Sequence, residues 1–378
     1  MSKILFVCNF FNNPNKVSSQ RTTHLVNTLK DKDLDVEVLI SGEEDSFESS
    51  VMTLDEAKTS NTLSFILNYF NYKKKLIELS KKYDLIILSV PRFSLLYFFA
   101  LSLKGNTKIL LDLRDQLQLQ ELNRESRSKI FQPLIKILDL IDRNLFSRSL
   151  KYVDSIVCVG EYSKKHLVTN FKKQAGRLPV YNVHNGFLIN DLKEIKKKHS
   201  RTSLQSHFLD AALVGTISSF RDSLDLRNDL RVLSKQLVRL NKKINLKHWG
   251  RMTKDLDKYI SSLENIEYQP QGFIGRNELL KQINLCSFSI LVTSKKLKWE
   301  PTTTVFDYIL CHNPILMLGG RNNEANRIIN DVNHQSFFAE EFSELLNSSS
   351  ISVNENINKY SREYNANLFY EALIETLK

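Results

Sequence analysis

The chain has 378 residues, 42% of them hydrophobic and 25% charged, the balance of an ordinary globular protein. That length is more than one hydrophobic core organises, so two domains are expected. The formal net charge of +11 attracts phosphate, nucleic acid or an anionic membrane surface. The cationic clusters, such as Lys73 to Lys75 and Lys196 to Lys198, are spread along the chain, and each alone reads as a solvated helix face.

Cys8, Cys158, Cys286 and Cys311 are far apart, each in an apolar run. This excludes a zinc-ribbon spacing and predicts buried free thiols in a reducing compartment. The opening, "MSKILFVCNF", enters a strand-like run after one lysine, without the length or cleavage site of a signal peptide. The longest apolar stretch, Phe93 to Leu103, is too short to cross a bilayer. The expected location is cytoplasmic, with peripheral contact at the inner face of the membrane left open.

The first half alternates strand and helix. "KILFVCN" is an all-apolar strand, followed by the loop "FFNNPNKVSSQR", the helix "TTHLVNTLKDK" and the strand "DVEVLIS". Gly42 to Asn61 is polar and reads as a loop. A helix is expected over Leu63 to Lys82, then the strand "YDLIILSV", the helix "SLLYFFALSLK" and the strand "TKILLDLRD". Gln116 to Leu150 is amphipathic and helical. "DSIVCVG", "EYSKKHLVTNF" and "PVYNVHNG" complete the half as strand, helix and strand.

Unbroken apolar strands alternating with helices define a parallel sheet covered on both faces. Residues 1–188 form the expected first domain, and the polar, basic stretch 189–208 a linker. The alternation restarts over 209–357, from "AALVGTIS" to "AEEFSELLNSS". The expected fold class is α/β, with two facing, doubly wound, Rossmann-like parallel-sheet domains. Ligands of such sheets bind at the carboxyl ends of the strands.

The residues after each strand are therefore the candidates. After the first strand there is no Gly-x-Gly-x-x-Gly, so a dinucleotide fingerprint is absent. Ser18 and Ser19 suit a helix cap. Arg21 falls in the first turn, where the helix dipole disfavours a cation, so it points to an anionic partner or an internal salt bridge. Asp112, Arg114 and Asp115 end "KILLDLRD", either as a structural pair or on the floor of a site with Asp115 as base. Asn185 and Gly186 mark a turn.

In the second half, Gly215 and Arg221 follow "AALV", a setting that suits a pyrophosphate. Arg251 follows "LKHWG". Gly272, Phe273 and Ile274 follow "NIEYQP", where glycine leaves room for a flat ring. In "EPTTTVFDYILCHNPIL", Thr302, Thr303 and Thr304 read as capping residues of a helix whose free N–H groups can also meet an anion, with Asp307 in its first turn.

Together, "LDLRDQ", "DSIVCVGEYSKKHL", "HNGF", "VGTISSFRD" and "PTTTVFDYILCHNPIL" resemble the nucleotide-sugar-dependent glycosyltransferases of the GT-B fold, specifically the retaining family 4 group. The resemblance spans nearly the whole chain. It implies that Arg221 meets the donor pyrophosphate, Asp307 the donor ribose, the backbone of Gly272, Phe273 and Ile274 the base, and the Val17 to Arg21 loop the acceptor. It further implies that the C-terminal helix, 358–378, returns to the first domain.

Two departures stand out. Where the family keeps Glu-x7-Glu, Asp307 takes the second position and Trp299 the first, with Glu300 beside it as the substitute. Thr304 stands where many members have lysine. The expected reaction is retaining transfer from a nucleoside-diphosphate sugar to a glycan or polyprenyl-linked acceptor in bacterial surface-polysaccharide assembly. Asp115, Glu300 and Arg221 are the catalytic candidates, and no metal or cofactor is expected. A sugar-nucleotide 2-epimerase and a non-catalytic scaffold are the alternatives. No nucleic acid is expected, because no basic stripe interleaves aromatics.

Overall fold

The computed structural model describes residues 2–8, 11, 17–40, 51–53, 69–89, 93–103, 105, 107–114, 132–191, 203–219, 221–299, 303–348 and 355–378. The chain divides into two compact units, Met1–Asn185 with Arg362–Lys378, and Gly186–Ser361.

The first unit is built on β1 (Lys3–Cys8), α1 (Val17–Asp31), β2 (Asp35–Ile40), β3 (Val51–Thr53), α2 (Tyr69–Ser80), β4 (Leu85–Ser89), α3 (Phe93–Leu103), β5 (Lys108–Leu113), α4 (Gln132–Ser149), β6 (Ser155–Cys158), α5 (Glu161–Asn170), the single turn α6 (Lys172–Ala175) and β7 (Val180–Asn182). Its seven strands are all parallel, in the order β3-β2-β1-β4-β5-β6-β7. Central strands buried on both faces cannot alternate, and "LIILS" in β4 is buried at every position. The three residues of β3 lie inside the stretch read as a loop, since so short an edge strand carries no pattern to read. In α3, Leu96, Phe99, Ala100 and Leu103 are core residues. Core packing therefore accounts for the described part of that apolar run.

The second unit contains β8 (Phe208–Val214), α7 (Leu224–Arg239), β9 (Lys243–Trp249), α8 (Lys254–Ser261), β10 (Ile266–Pro270), α9 (Arg276–Leu285), β11 (Phe288–Val292), α10 (Thr304–Leu310), β12 (Ile315–Leu318), α11 (Glu324–Asp331), β13 (Ser336–Phe338) and α12 (Phe342–Leu346). Its six parallel strands run β10-β9-β8-β11-β12-β13. Tyr308, fully buried in α10, ties helix to sheet, because its hydroxyl accepts from Val214 N at 2.9 Å and donates to Ile290 O at 3.0 Å.

The last helix, α13 (Arg362–Leu377), belongs to the first unit. Phe369 stacks on Phe6 with centroids 6.3 Å apart, and the Ser155 and Thr376 hydroxyls are 2.6 Å apart. The units divide between Asn185 and Gly186, ahead of the expected linker. Phe187 is already buried in the second core, and its N–H donates to Tyr360 O at 3.1 Å.

All four cysteines are free and buried, and burial pushes the Cys158 thiol up to about 12. The Asp222 carboxylate is gripped by Arg227 through two 2.7 Å bonds.

Candidate functional site

Three strands of the second sheet end in exposed or unusual backbone. β8 ends at Gly215 (φ +103°), β9 at Gly250 (φ +153°), and β10 leads to Gly272 (φ +73°). Gly250 is required by contact: a Cβ there would sit 2.2 Å from the Gly215 carbonyl oxygen. Gly272 has its positive φ with nothing within 4 Å of a Cβ position, so the adjoining backbone is open to a ligand.

The edge is braced from below by His248, which is buried on β9. Its Nε2 donates to Gly215 O at 2.9 Å, and its Nδ1 accepts from the Tyr268 hydroxyl at 2.8 Å. A carbonyl only accepts, so the proton must be on Nε2 of a neutral ring. Burial lowers the His248 pKa, in agreement with that tautomer. The residue was missed in the sequence because "NLKHWG" reads as a strand, and only the fold puts its ring under Gly215.

Above the edge, the Arg251 guanidinium lies 5.2 Å from the centroid of Phe273, whose side chain is 65% exposed. A cation over a solvent-facing ring makes a flat platform on which a planar group can stack. Ile274 beside it is 37% exposed. Thr304, the first residue of α10, places Oγ1 3.8 Å from a Cβ position on Gly215. Arg221 is half-buried in the turn before α7, its N–H bonded to Ser218 O at 2.9 Å.

The capping expectation at α10 is corrected for Thr303. It occupies the N-cap with helical dihedrals (φ −57°, ψ −26°) and makes no side-chain cap bond; a capping side chain needs extended backbone to reach the next turn. Asp307 has a partner that the sequence did not reveal. It is buried in α10, 2.8 Å from the Arg276 guanidinium, which also reaches Asp191 at 3.0 Å. Asp115, Glu300 and Thr302 lie outside the described residues, as does the side chain of Ser18.

In the first unit, Arg21 is an internal ion-pair partner. It reaches the buried Asp112 at 3.1 Å and donates to His184 O at 2.9 Å, while Ser89 donates to Asp112 at 2.8 Å. Arg114 and Asn185 are half-buried. Ser18 and Ser19 lie inside α1, which begins at Val17, so the capping expectation is corrected there, a cap being the residue before the first helical one; Ser19 is fully buried. The crevice shared by Arg21, His184, Asn185 and Asn365 measures about 10 Å³, room for no more than a water.

A larger depression of about 620 Å³ lies at the carboxyl ends of β11 and β12, lined by Asp225, Asp229, Lys295, Lys298 and Arg321 among others. Lys295 pairs with Asp225 at 2.7 Å, and Asp229 accepts from Gly319 N at 2.7 Å. These polar residues are dispersed along the sequence and converge only through the fold. Among the described residues, no group of three or more His, Cys, Asp or Glu side chains is arranged to hold a metal ion.

No protein-family model matches the chain, and no curated protein sequence matches it. Solved structures match it in architecture. A glycosyltransferase from Rickettsia africae ESF-5 aligns over 100% of this chain and 99% of its own, with a TM-score of 0.59 and 12% identity. An α-glucosyltransferase in complex with UDP and a 13-mer DNA containing an HMU base aligns over 99% and 95%, with a TM-score of 0.52 and 11% identity. A putative UDP-N-acetylglucosamine 2-epimerase from Listeria monocytogenes aligns over 100% and 97%, with a TM-score of 0.53 and 12% identity.

At these identities the likeness defines the fold: two Rossmann-like α/β domains, the architecture expected for the GT-B class. One of the three structures holds DNA, so the missing basic stripe does not by itself set nucleic acid aside for this architecture.

Proposed function

We propose that the chain is a glycosyltransferase that moves a sugar from a nucleoside-diphosphate donor to a glycan or lipid-linked acceptor. The observation that carries this reading is the open edge of the second sheet, where Arg251 and Phe273 form a stacking platform beside the bare backbone of Gly272. A base stacks there, the Gly272 to Ile274 backbone meets its edge, and the diphosphate runs toward Gly215, Thr304 and Arg221. Arg221 stabilises negative charge as it develops on the leaving diphosphate, where fixed positive charge acts on the transition state. Retention at the anomeric carbon, metal independence and roles for Asp115 and Glu300 belong to the same reading, as does work at the inner membrane face in surface-polysaccharide assembly. The family 4 sequence resemblance supports retention without a metal; Asp115 is supported by its place after β5, Glu300 by standing next to the position of the family's first glutamate, and the membrane face by the net charge of +11.

The test is nucleotide binding. Thermal denaturation with a panel of nucleoside diphosphates is expected to show stabilisation by one base, reduced in Arg221→Ala and Arg251→Ala. A shift unchanged in both variants overturns the donor site. The likeness to an epimerase structure favours one second reading. Incubation with nucleotide sugars and no acceptor separates the two, since only an epimerase yields an epimer.

A further inference from the structure

The helix α4 exposes an aliphatic face that the other described residues do not cover. Ile137, Leu138, Leu140 and Ile141 are 56%, 43%, 67% and 47% exposed. Ile137, Leu140 and Ile141 stand at i, i+3 and i+4, so they share one face. The opposite face holds the helix to its unit: Ile135 and Phe146 are buried, Phe146 meets Phe171 edge-on at 4.9 Å, and α4 packs against α3. Elsewhere in the described chain, exposed large apolar residues occur singly or as the pair Phe273 and Ile274. Four within five positions is a patch rather than background.

Charge decides what the patch meets. Lys136, Arg143 and Arg148 on the same helix are exposed, whereas Asp139 is half-buried and Asp142 buried. The solvent side of α4 is thus aliphatic with a cationic border, and its carboxylates turn toward the protein. The whole chain carries a net charge of +11. No described helix is long and apolar enough to cross a membrane. An apolar face bordered by Lys and Arg is the pattern of a helix lying in the plane of a lipid surface, with its side chains among the acyl chains and its cations at anionic headgroups.

We propose that the exposed face of α4 docks the protein on an anionic membrane surface. This deepens the reading above, which brings the chain to a lipid-linked acceptor. The docking is measured with no sugar or nucleotide present, so its failure is separable from failure of the transferase reading.

The test is co-sedimentation of the full chain with vesicles of phosphatidylcholine alone or mixed with phosphatidylglycerol. Binding to the mixed vesicles is expected, weakened in about 1 M salt, where screening acts within about 3 Å. Ile137→Glu with Leu140→Glu and Ile141→Glu is expected to lower partitioning roughly tenfold or more, because it removes the inserted face. Lys136→Glu with Arg148→Glu is expected to abolish the preference for phosphatidylglycerol. Circular dichroism melts of both variants should match the parent, because all five positions are exposed. No binding to either vesicle overturns the proposal, as does binding unchanged in the triple variant. A monomer–dimer equilibrium in sedimentation velocity that the triple variant abolishes, with no vesicle binding, also overturns it and assigns the face to a second copy of the chain.

Discussion

The Arg21 guanidinium lies 3.1 Å from the Asp112 carboxylate, and less than a tenth of either side chain reaches solvent. A cation in the first turns of α1 opposes the helix dipole, and the opposing carboxylate on β5 explains why it is tolerated there. Two residues that invited a ligand in the sequence thereby become a brace between helix and sheet. Arg21→Met strands a buried carboxylate with Ser89 as its remaining side-chain donor, and is expected to cost about 3–5 kcal/mol. Adding Asp112→Leu should recover most of the loss, because no buried charge then lacks a partner. Urea denaturation of the single and double variants checks both.

Arg276 bridges Asp191 and Asp307, with their side chains 10% and 7% exposed. Arg276→Leu leaves two carboxylates close together without their shared cation. It should destabilise the second unit by about 3 kcal/mol or more. Asp307→Asn leaves Arg276 one of its carboxylates and should cost less. Denaturation midpoints that rank the two variants the other way would remove the bridging role.

His248 makes stability depend on pH. Its folded pKa is lowered by burial, so its contribution is fully present above its unfolded value of about 6.5. That contribution is lost as pH falls through the lower folded value, when the buried ring must take up a proton. His248→Gln is expected to cost about 1–2 kcal/mol at neutral pH, through the lost bonds to Gly215 and Tyr268. The gap between parent and variant should narrow in acid. His24 is also lowered by burial and acts in the same direction in both proteins, so the difference isolates His248.

Phe273→Ala removes the ring beneath Arg251 without touching a core. Stability should change little, while nucleoside-diphosphate affinity should fall by about 1–2 kcal/mol, the scale of a lost base–aromatic stack. Isothermal titration calorimetry reads the affinity and a thermal melt the stability. Equal affinity in parent and variant would remove the platform from the site.

Much of the scaffold was legible because parallel, doubly covered strands announce themselves. "ILML" has no polar position and "LIILS" and "FSILV" have one serine each, and all three are strands buried at every position. The glycines after β8 and β9 were visible too, though their reason, backbone pressed on backbone between Gly250 and Gly215, was not. At α10 the sequence misled: three threonines before an apolar run suggest a cap, yet Thr303 takes a helical conformation and caps nothing. Arg276 gave no signal in the sequence, because its partners are 85 and 31 residues away along the chain.

By itself the sequence determined the alternation of strand and helix, the restart of that alternation in a second unit, and the strand ends at which a ligand can sit. Those features follow from local periodicity and from where glycine and charge interrupt it. Tertiary structure alone decided the partners: Arg21 with Asp112, Arg276 with Asp307, His248 beneath Gly215, and an aliphatic face of α4 left outside the core. The physical reason is that a charge or hydrogen bond acts over a few ångströms of space. Periodicity tells which face of an element turns inward, but not which distant residue it meets there.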